Sequence, residues 1–383
     1  MGLNHVLSLF YFIFRVVKIV LAFDKFKGVA TSREVAMAAR DAILGVAPDA
    51  QVVLIPCADG GEGTMEALSP AHSQRVSVEV CGPLPDMRVN AAYSISHGTA
   101  VIEMAAASGL ALLADSQRDV MHATTRGTGM LIRHAIAHGA QRVTLGIGGS
   151  ATNDCGMGIL SALGFRFLDQ QGRELAPCGA NLAKVARVDA DAVPQQVLDT
   201  RFDVITDVDN PLCGTHGAAA VYAPQKGASP RQVTLLDEGA RHFSQFMPGG
   251  VAEAPGAGAA GGVGAGLKAF LNAILHPGAD AVLRFLKVDE AIADADLVMT
   301  GEGKMDASTA HGKLPYAVAR LCRKRAVPAV ALCGILEGEA PDVFTSVLCI
   351  NPLPVDMPLA LNSEVCLSRV ASTTEKLIKT IFK

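Results

Sequence analysis

Two Gly-rich loops hold the side chains best suited to chemistry. The first is residues 146–154, GIGGSATND. Here Gly148 and Gly149 would let backbone N–H groups approach an anion, and Ser150, Thr152, Asn153 and Asp154 add polar contacts beside the start of a helix. The same residues also suit a tight turn with close helix packing. The sequence is neither a Walker A loop nor G-x-G-x-x-G with a ribose-binding acid. The second is residues 255–266, PGAGAAGGVGAG, with Gly258, Gly261 and Gly262. It also leads into a helix, and its small residues serve close packing as readily as phosphate contact.

Acidic pairs come next. Asp59 and Glu62 share a loop with Gly60 and Gly61; Asp207 and Asp209 form a second pair, Glu302 and Asp306 a third. Each follows or ends a predicted strand, which is where open α/β sheets bind ligands. Phosphoryl transfer needs Mg²⁺ held by one or two carboxylates and a group that orients the attacking hydroxyl. Lys27, Lys226 and Lys313 each stand beside a glycine or in a glycine-bracketed loop, where an ammonium can offset phosphate charge. Any single one of these acids or lysines also fits an ordinary surface residue. His311 reads as structural or rim, and no Ser-His-Asp or Cys-His spacing points to covalent catalysis.

The elements that must position these loops alternate in type. Lys18 to Ala22 reads as a buried strand ended by Asp24, with Ser32 capping a helix through Val35, Ala36, Ala39 and Ile43. Pro48-Asp49 closes it and Val52 to Ile55 is the next strand, the opening of a doubly wound sheet. Alternation at 76–80 and 100–103 predicts antiparallel pairing. Strands at 142–147, 297–299 and 327–332 and helices at 157–163 and through Tyr316 to Leu321 follow. The expected fold class is α/β with two domains. One is a Rossmann-like (flavodoxin-like) doubly wound domain split into 16–75 and 289–383; the other is a mixed α/β domain inserted at 76–288.

Composition narrows the class. At roughly 150 residues per domain, 383 residues make two or three domains. Half of the residues are hydrophobic, enough for large cores, and a formal net charge of −4 without basic runs offers no nucleic-acid surface. Nine cysteines with no C-x-x-C pattern read as free thiols in a reducing cytoplasm. The apolar run Val6 to Phe14 has no basic leader or small-residue cleavage site, and Arg15 and Lys18 interrupt it before the about 20 apolar residues a membrane span needs. It reads as a dispensable extension, residues 1–15.

Together these segments resemble the bacterial type-1 glycerate kinase family. The resembling stretches are Lys18–Ala22 with Asp24 and 26–28, then 58–64, 102–110, 125–129 and 148–154. They continue through 207–214, 217–218, 224–228, 255–266, 300–306 and 311–313, in family order from about residue 17 onward. The resemblance implies a two-domain α/β enzyme with its active site in the interdomain cleft. It implies ATP and Mg²⁺ as co-substrates and D-glycerate as acceptor, giving 2-phosphoglycerate, with 3-phosphoglycerate the alternative product. The assigned catalytic residues are Asp59, Lys27, Lys226 and Asp306. Asp24, Gly60, Gly61, Glu62, residues of the 148–154 and 255–266 loops and Lys313 bind substrate or phosphate; Asp207, Asp209 and Glu302 hold metal. A monomer or homodimer is expected. The chain departs from the family at Phe23 and Lys25 (usually Pro and Ser), at Cys155 (usually Gly) and in a shortened segment after Gly334. Two other readings stand beside it: a nucleotide-dependent oxidoreductase, which the first βα turn does not favour, and a degenerate kinase acting as a glycerate or nucleotide sensor.

Overall fold

The computed structural model describes residues 16–381 apart from 56, 58, 59, 71 and 312. Asp59, the side chain of His311 and the run 6–14 therefore lie outside the described residues. In chain order the strands are β1 Lys18–Phe23, β2 Gln51–Leu54, β3 Gln74–Cys81, β4 Arg88–Ser96, β5 Thr99–Glu103, β6 Arg142–Gly146 and β7 Arg166–Leu168. They continue as β8 Arg187–Asp189, β9 Arg201–Thr206, β10 Ile274–Pro277, β11 Leu297–Met305, β12 Ala329–Leu336 and β13 Ser346–Cys349.

Contacts divide the chain into two compact units. One runs to residue 57 and resumes at 283; the other is the stretch between. The crossings fall earlier than the expected 75/76 and 288/289. The reason lies in Gly60 and Gly61, whose backbone packs against the ends of β6 and β9 in the intervening unit. Helix Thr64–Leu68 follows them there, with the Met65 N–H donating to Glu103 on β5.

The discontinuous unit is built on a five-stranded parallel sheet, order β13-β12-β11-β1-β2. Counted within the unit this is 2-1-3-4-5, the flavodoxin-like order. It reverses between β1 and β11, so their C-terminal ends flank the crevice where such sheets take ligands. The uninterrupted apolar run of β1, buried from Ile19 to Phe23, is what a strand covered on both faces requires. Helix Ser32–Val46 lays Val35, Ala36, Ala39 and Ile43 on the sheet and packs beside helix Ser363–Ile381, which adds Val370 and Ile378 to the same core. Its cap is Thr31, not the expected Ser32. Thr31 accepts from the Glu34 N–H while Glu34 accepts from the Thr31 N–H, a closed capping box.

β11 is longer than the expected 297–299. It stays paired with β12 as far as Met305↔Leu336, so Glu302 lies on a strand, in register with Cys333, rather than in a loop.

The contiguous unit carries a six-stranded mixed sheet, order β10-β9-β6-β5-β4-β3. The alternating segments at 76–80 and 100–103 do not pair with one another. Each pairs antiparallel with β4, a strand whose mixed Arg-Val-Asn-Ala-Ala-Tyr texture hid it. β5, β6, β9 and β10 run parallel, and Pro277 sits on the edge strand, where a missing N–H is tolerated. Tyr93, Ile102, Leu131, Leu145, Ile159 and Phe202 form its fully buried centre.

Candidate functional site

In the contiguous unit the loops gather at the C-terminal ends of β5, β6 and β9. Two glycine pairs key into each other there. The Gly148 N–H donates to the Gly60 carbonyl at 2.8 Å, and a Cβ on Gly148 would stand 2.7 Å from Gly61 Cα. Gly60 has φ +88° and lies where a Cβ would meet the Ile205 carbonyl at 2.3 Å, so both its conformation and its surroundings demand glycine. These close approaches bring the acidic loop of Gly60 and Gly61 against the 146–154 loop and leave Gly149 exposed.

Beneath the 148–154 loop lies Lys226. It is 2% exposed, and its ammonium donates to Ser150 Oγ at 2.8 Å and to the Thr152 carbonyl at 2.7 Å. Burial pulls its pKa down to about 7, against an opposing pull from Asp154. Its hydrogen bonds in this structure go to the 148–154 loop, which they hold from beneath.

Asp154 is likewise engaged. Its fully buried carboxylate accepts from the Thr125 N–H and hydroxyl, both at 2.8 Å, and from the Gly156 and Gly158 N–H groups at 3.0 and 3.2 Å. Burial raises its pKa and these four donors work against that rise. Its bonds from Gly156 and Gly158 place it at the start of helix Met157–Ala162. Asn153 is fully buried, and its amide nitrogen and oxygen have no hydrogen-bond partner; the same holds for Thr152 Oγ1.

The second Gly-rich run is closely packed. A Cβ on Gly261 would meet the Thr152 carbonyl at 2.2 Å, on Gly262 the Cys155 sulfur at 2.8 Å, and on Gly258 the Pro211 carbonyl at 2.1 Å. Ala260, Gly261 and Gly262 all have positive φ, so regular helix begins only after them. Cys155, held between these segments, itself has φ +50°.

Asp207 and Asp209 follow the end of β9 and are both exposed; together they raise the Tyr222 phenol, after its burial. Two carboxylates at a strand's C-terminal end fit Mg²⁺ in its usual mode, in which substrate oxygens and water complete the shell. Among the described residues no three His, Cys, Asp or Glu gather as a metal cage.

In the discontinuous unit a second cluster forms beyond β11. Glu302 is buried; its Oε1 accepts from the Thr309 hydroxyl at 2.7 Å and its Oε2 from Lys313 at 3.0 Å. Both oxygens of Glu302 are thus engaged by side chains of the same unit. Asp306 lies 3.6 Å from the same ammonium. Hydrogen bonds from Ser308, then Lys313 and Lys304, hold its carboxyl below the usual range. Its N–H donates to Thr309 Oγ1 at 3.1 Å. Glu302, Asp306 and Lys313 thus come together, through a threonine that sequence reading passed over.

At the end of β1, Asp24 donates its N–H to the Gly301 carbonyl at 2.9 Å and accepts from the Lys25 N–H at 2.7 Å. Lys27 is exposed at the tip of a loop closed by reciprocal Phe26–Ala30 bonds. Glu62 is also exposed.

Comparison with known proteins is consistent throughout. Residues 19–381 match the family described as "Glycerate kinase family". A glycerate kinase of Halalkalibacterium halodurans is 44% identical over 333 residues, 85% of this chain and 87% of that one. The Escherichia coli protein named glycerate 2-kinase is 42% identical over 329 residues, 84% and 86% of the two chains. A crystal structure from Salmonella typhimurium LT2, described under the name glycerate kinase 2, superposes with a TM-score of 0.84 at 39% identity, covering 96% of this chain and 98% of that one.

Proposed function

Because this chain belongs to the glycerate kinase family, we propose that it transfers the γ-phosphoryl group of ATP to a hydroxyl of D-glycerate. The product is 2-phosphoglycerate, with 3-phosphoglycerate the alternative. The observation that carries this reading is the unbroken family match from residue 19 to 381, a span that takes in every loop described above. The setting is the cytoplasm and the chain acts as a monomer or homodimer; among the described residues no helix is long and apolar enough to cross a membrane.

The residues divide the work as follows. When bound, Mg²⁺ neutralises part of the phosphate charge. Asp207 and Asp209 would hold it. Exposed backbone around Gly149, on a loop fixed from beneath by Lys226, offers N–H groups to an anion. Lys313 and Lys27 carry positive charge suited to a phosphate, the former restrained by Glu302 and Asp306. Asp59, in the Gly-rich loop, orients the glycerate hydroxyl and accepts its proton.

The test is ADP release by the full chain. It should require both D-glycerate and Mg²⁺ and stop with a metal chelator. Release with another sugar acid but not glycerate overturns the substrate. Glycerate binding without ADP release makes the chain a sensor instead.

A further inference from the structure

The hydroxyl of Thr309 is the joint of the second cluster. The residue is fully buried. Its Oγ1 accepts one hydrogen bond, from the Asp306 N–H at 3.1 Å, and donates one, to Glu302 Oε1 at 2.7 Å. A hydroxyl has a single hydrogen, so accepting from a backbone N–H leaves that hydrogen directed at the carboxylate. The Thr309 N–H in turn donates to the Asp306 carbonyl at 2.9 Å, which closes the turn on itself. The carboxylate of Glu302 cannot rotate without losing this bond, and its second oxygen is thereby aimed at Lys313. The Lys313 side chain is about a third exposed, and its ammonium is also near the Lys304 carbonyl at 3.5 Å and Asp306 at 3.6 Å.

We propose that Thr309 is a positioning residue for phosphoryl transfer: through Glu302 it fixes the ammonium of Lys313 against the polyphosphate of ATP. This rests on the reading of Lys313 as a phosphate-facing cation. A methyl group in place of the hydroxyl leaves the shape of the turn nearly unchanged, but frees Glu302 to swing and Lys313 to follow it. The chain of contacts runs from a backbone N–H through two side chains to a charge, so its loss should be felt in ATP use and not in glycerate use.

The experiment is steady-state kinetics of the full chain with each substrate varied in turn. Thr309→Val should lower kcat/KM for ATP by about tenfold, the scale of one oriented charge-assisted hydrogen bond. It should leave the KM for D-glycerate within about twofold, and Thr309→Ser should restore ATP use to within about threefold. Lys313→Ala should cost at least as much as Thr309→Val, and the double variant no more than Lys313→Ala alone, because both act on one contact. If Thr309→Val leaves ATP kinetics unchanged while Lys313→Ala impairs them, Thr309 has no positioning role. Full multiplication of the two effects overturns the route through Lys313. If Lys313→Ala itself changes nothing, the phosphate-facing reading of Lys313 falls, and this proposal with it. Should Thr309→Val fail to fold, Glu302→Gln probes the same joint, since its amide still accepts from Thr309 but has no second acceptor for Lys313. An unchanged kcat/KM for ATP in Glu302→Gln also overturns the proposal.

Discussion

Replacing Lys226 by Met tests whether a buried lysine amine holds the 148–154 loop. The stem is kept and the charge removed. In the folded chain the group has a pKa near 7, against an ordinary 10.5. Between those values the unfolded chain carries a proton on Lys226 that the folded chain mostly does not. Stability therefore rises with pH across that window, and it is lost as pH falls toward 7. Each pH unit is worth about 1.36 kcal/mol for one proton, so the whole interval amounts to roughly 5 kcal/mol. Against this, the variant leaves Ser150 Oγ and the Thr152 carbonyl without their donor, about 1–3 kcal/mol apiece. Urea unfolding of both proteins at pH 7.5 and pH 9.5 separates the terms (two pH units apart, about 3 kcal/mol by the same linkage). The stability of wild type relative to Lys226→Met should rise by that amount at the higher pH. Taking the difference between the two proteins cancels the thiols and phenols that titrate in the same range. Parallel pH profiles would refute the reasoning and return Lys226 to a solvated group.

Two further outcomes are expected. Asp207→Asn with Asp209→Asn should raise the Mg²⁺ concentration for half-maximal rate about tenfold or more, with the KM for ATP at saturating Mg²⁺ moving less than about threefold; an unchanged Mg²⁺ titration would remove both from the metal role. Cys155→Val should lose about 2–4 kcal/mol in chemical denaturation, because a β-branched side chain is forced to φ +50° beside Gly262, and a variant as stable as wild type would show that the backbone relaxes there.

What could be read from the sequence follows physical rules of short range. The buried run of β1 is written in consecutive residues, and the turn chemistry at Pro48-Asp49 in two. The glycine loops and acidic pairs announced themselves for the same reason. Partners set by the tertiary fold did not. Lys226 sits beside a glycine in sequence, yet its acceptors are 76 and 74 residues away. Asp154 reads in sequence as one more polar residue of the anion loop, and its bonds to Thr125 and Gly156 are set by the fold. Glu302 looked like a loop acid because Thr-Gly-Glu-Gly reads as a turn; β12 continues alongside it and makes a strand of it. Thr309 had one faint signal, a small polar residue three after Asp306, the spacing at which a side chain meets the backbone N–H of a turn.

The split course of the parallel sheet also has a schedule. β1 ends at Phe23 and its neighbour β11 begins at Leu297, a separation of 297 − 23 = 274 residues. At the about 5–20 residues per second of synthesis, roughly 14–55 s pass before β11 exists to lie beside β1. During that wait β1 has β2 on one flank and nothing on the other, with Ile19, Leu21 and Phe23 short of Met299, Leu332 and the C-terminal helix that later cover them. The contiguous unit suffers no such delay, since its strands emerge from Gln74 to Pro277 in one stretch and can close before β11 leaves the ribosome. An apolar strand with an open edge is a template for pairing with other chains. Yield on expression is therefore expected to hang on the pace of elongation through the intervening unit, and slow translation there to favour inclusion bodies even though the finished protein is unchanged.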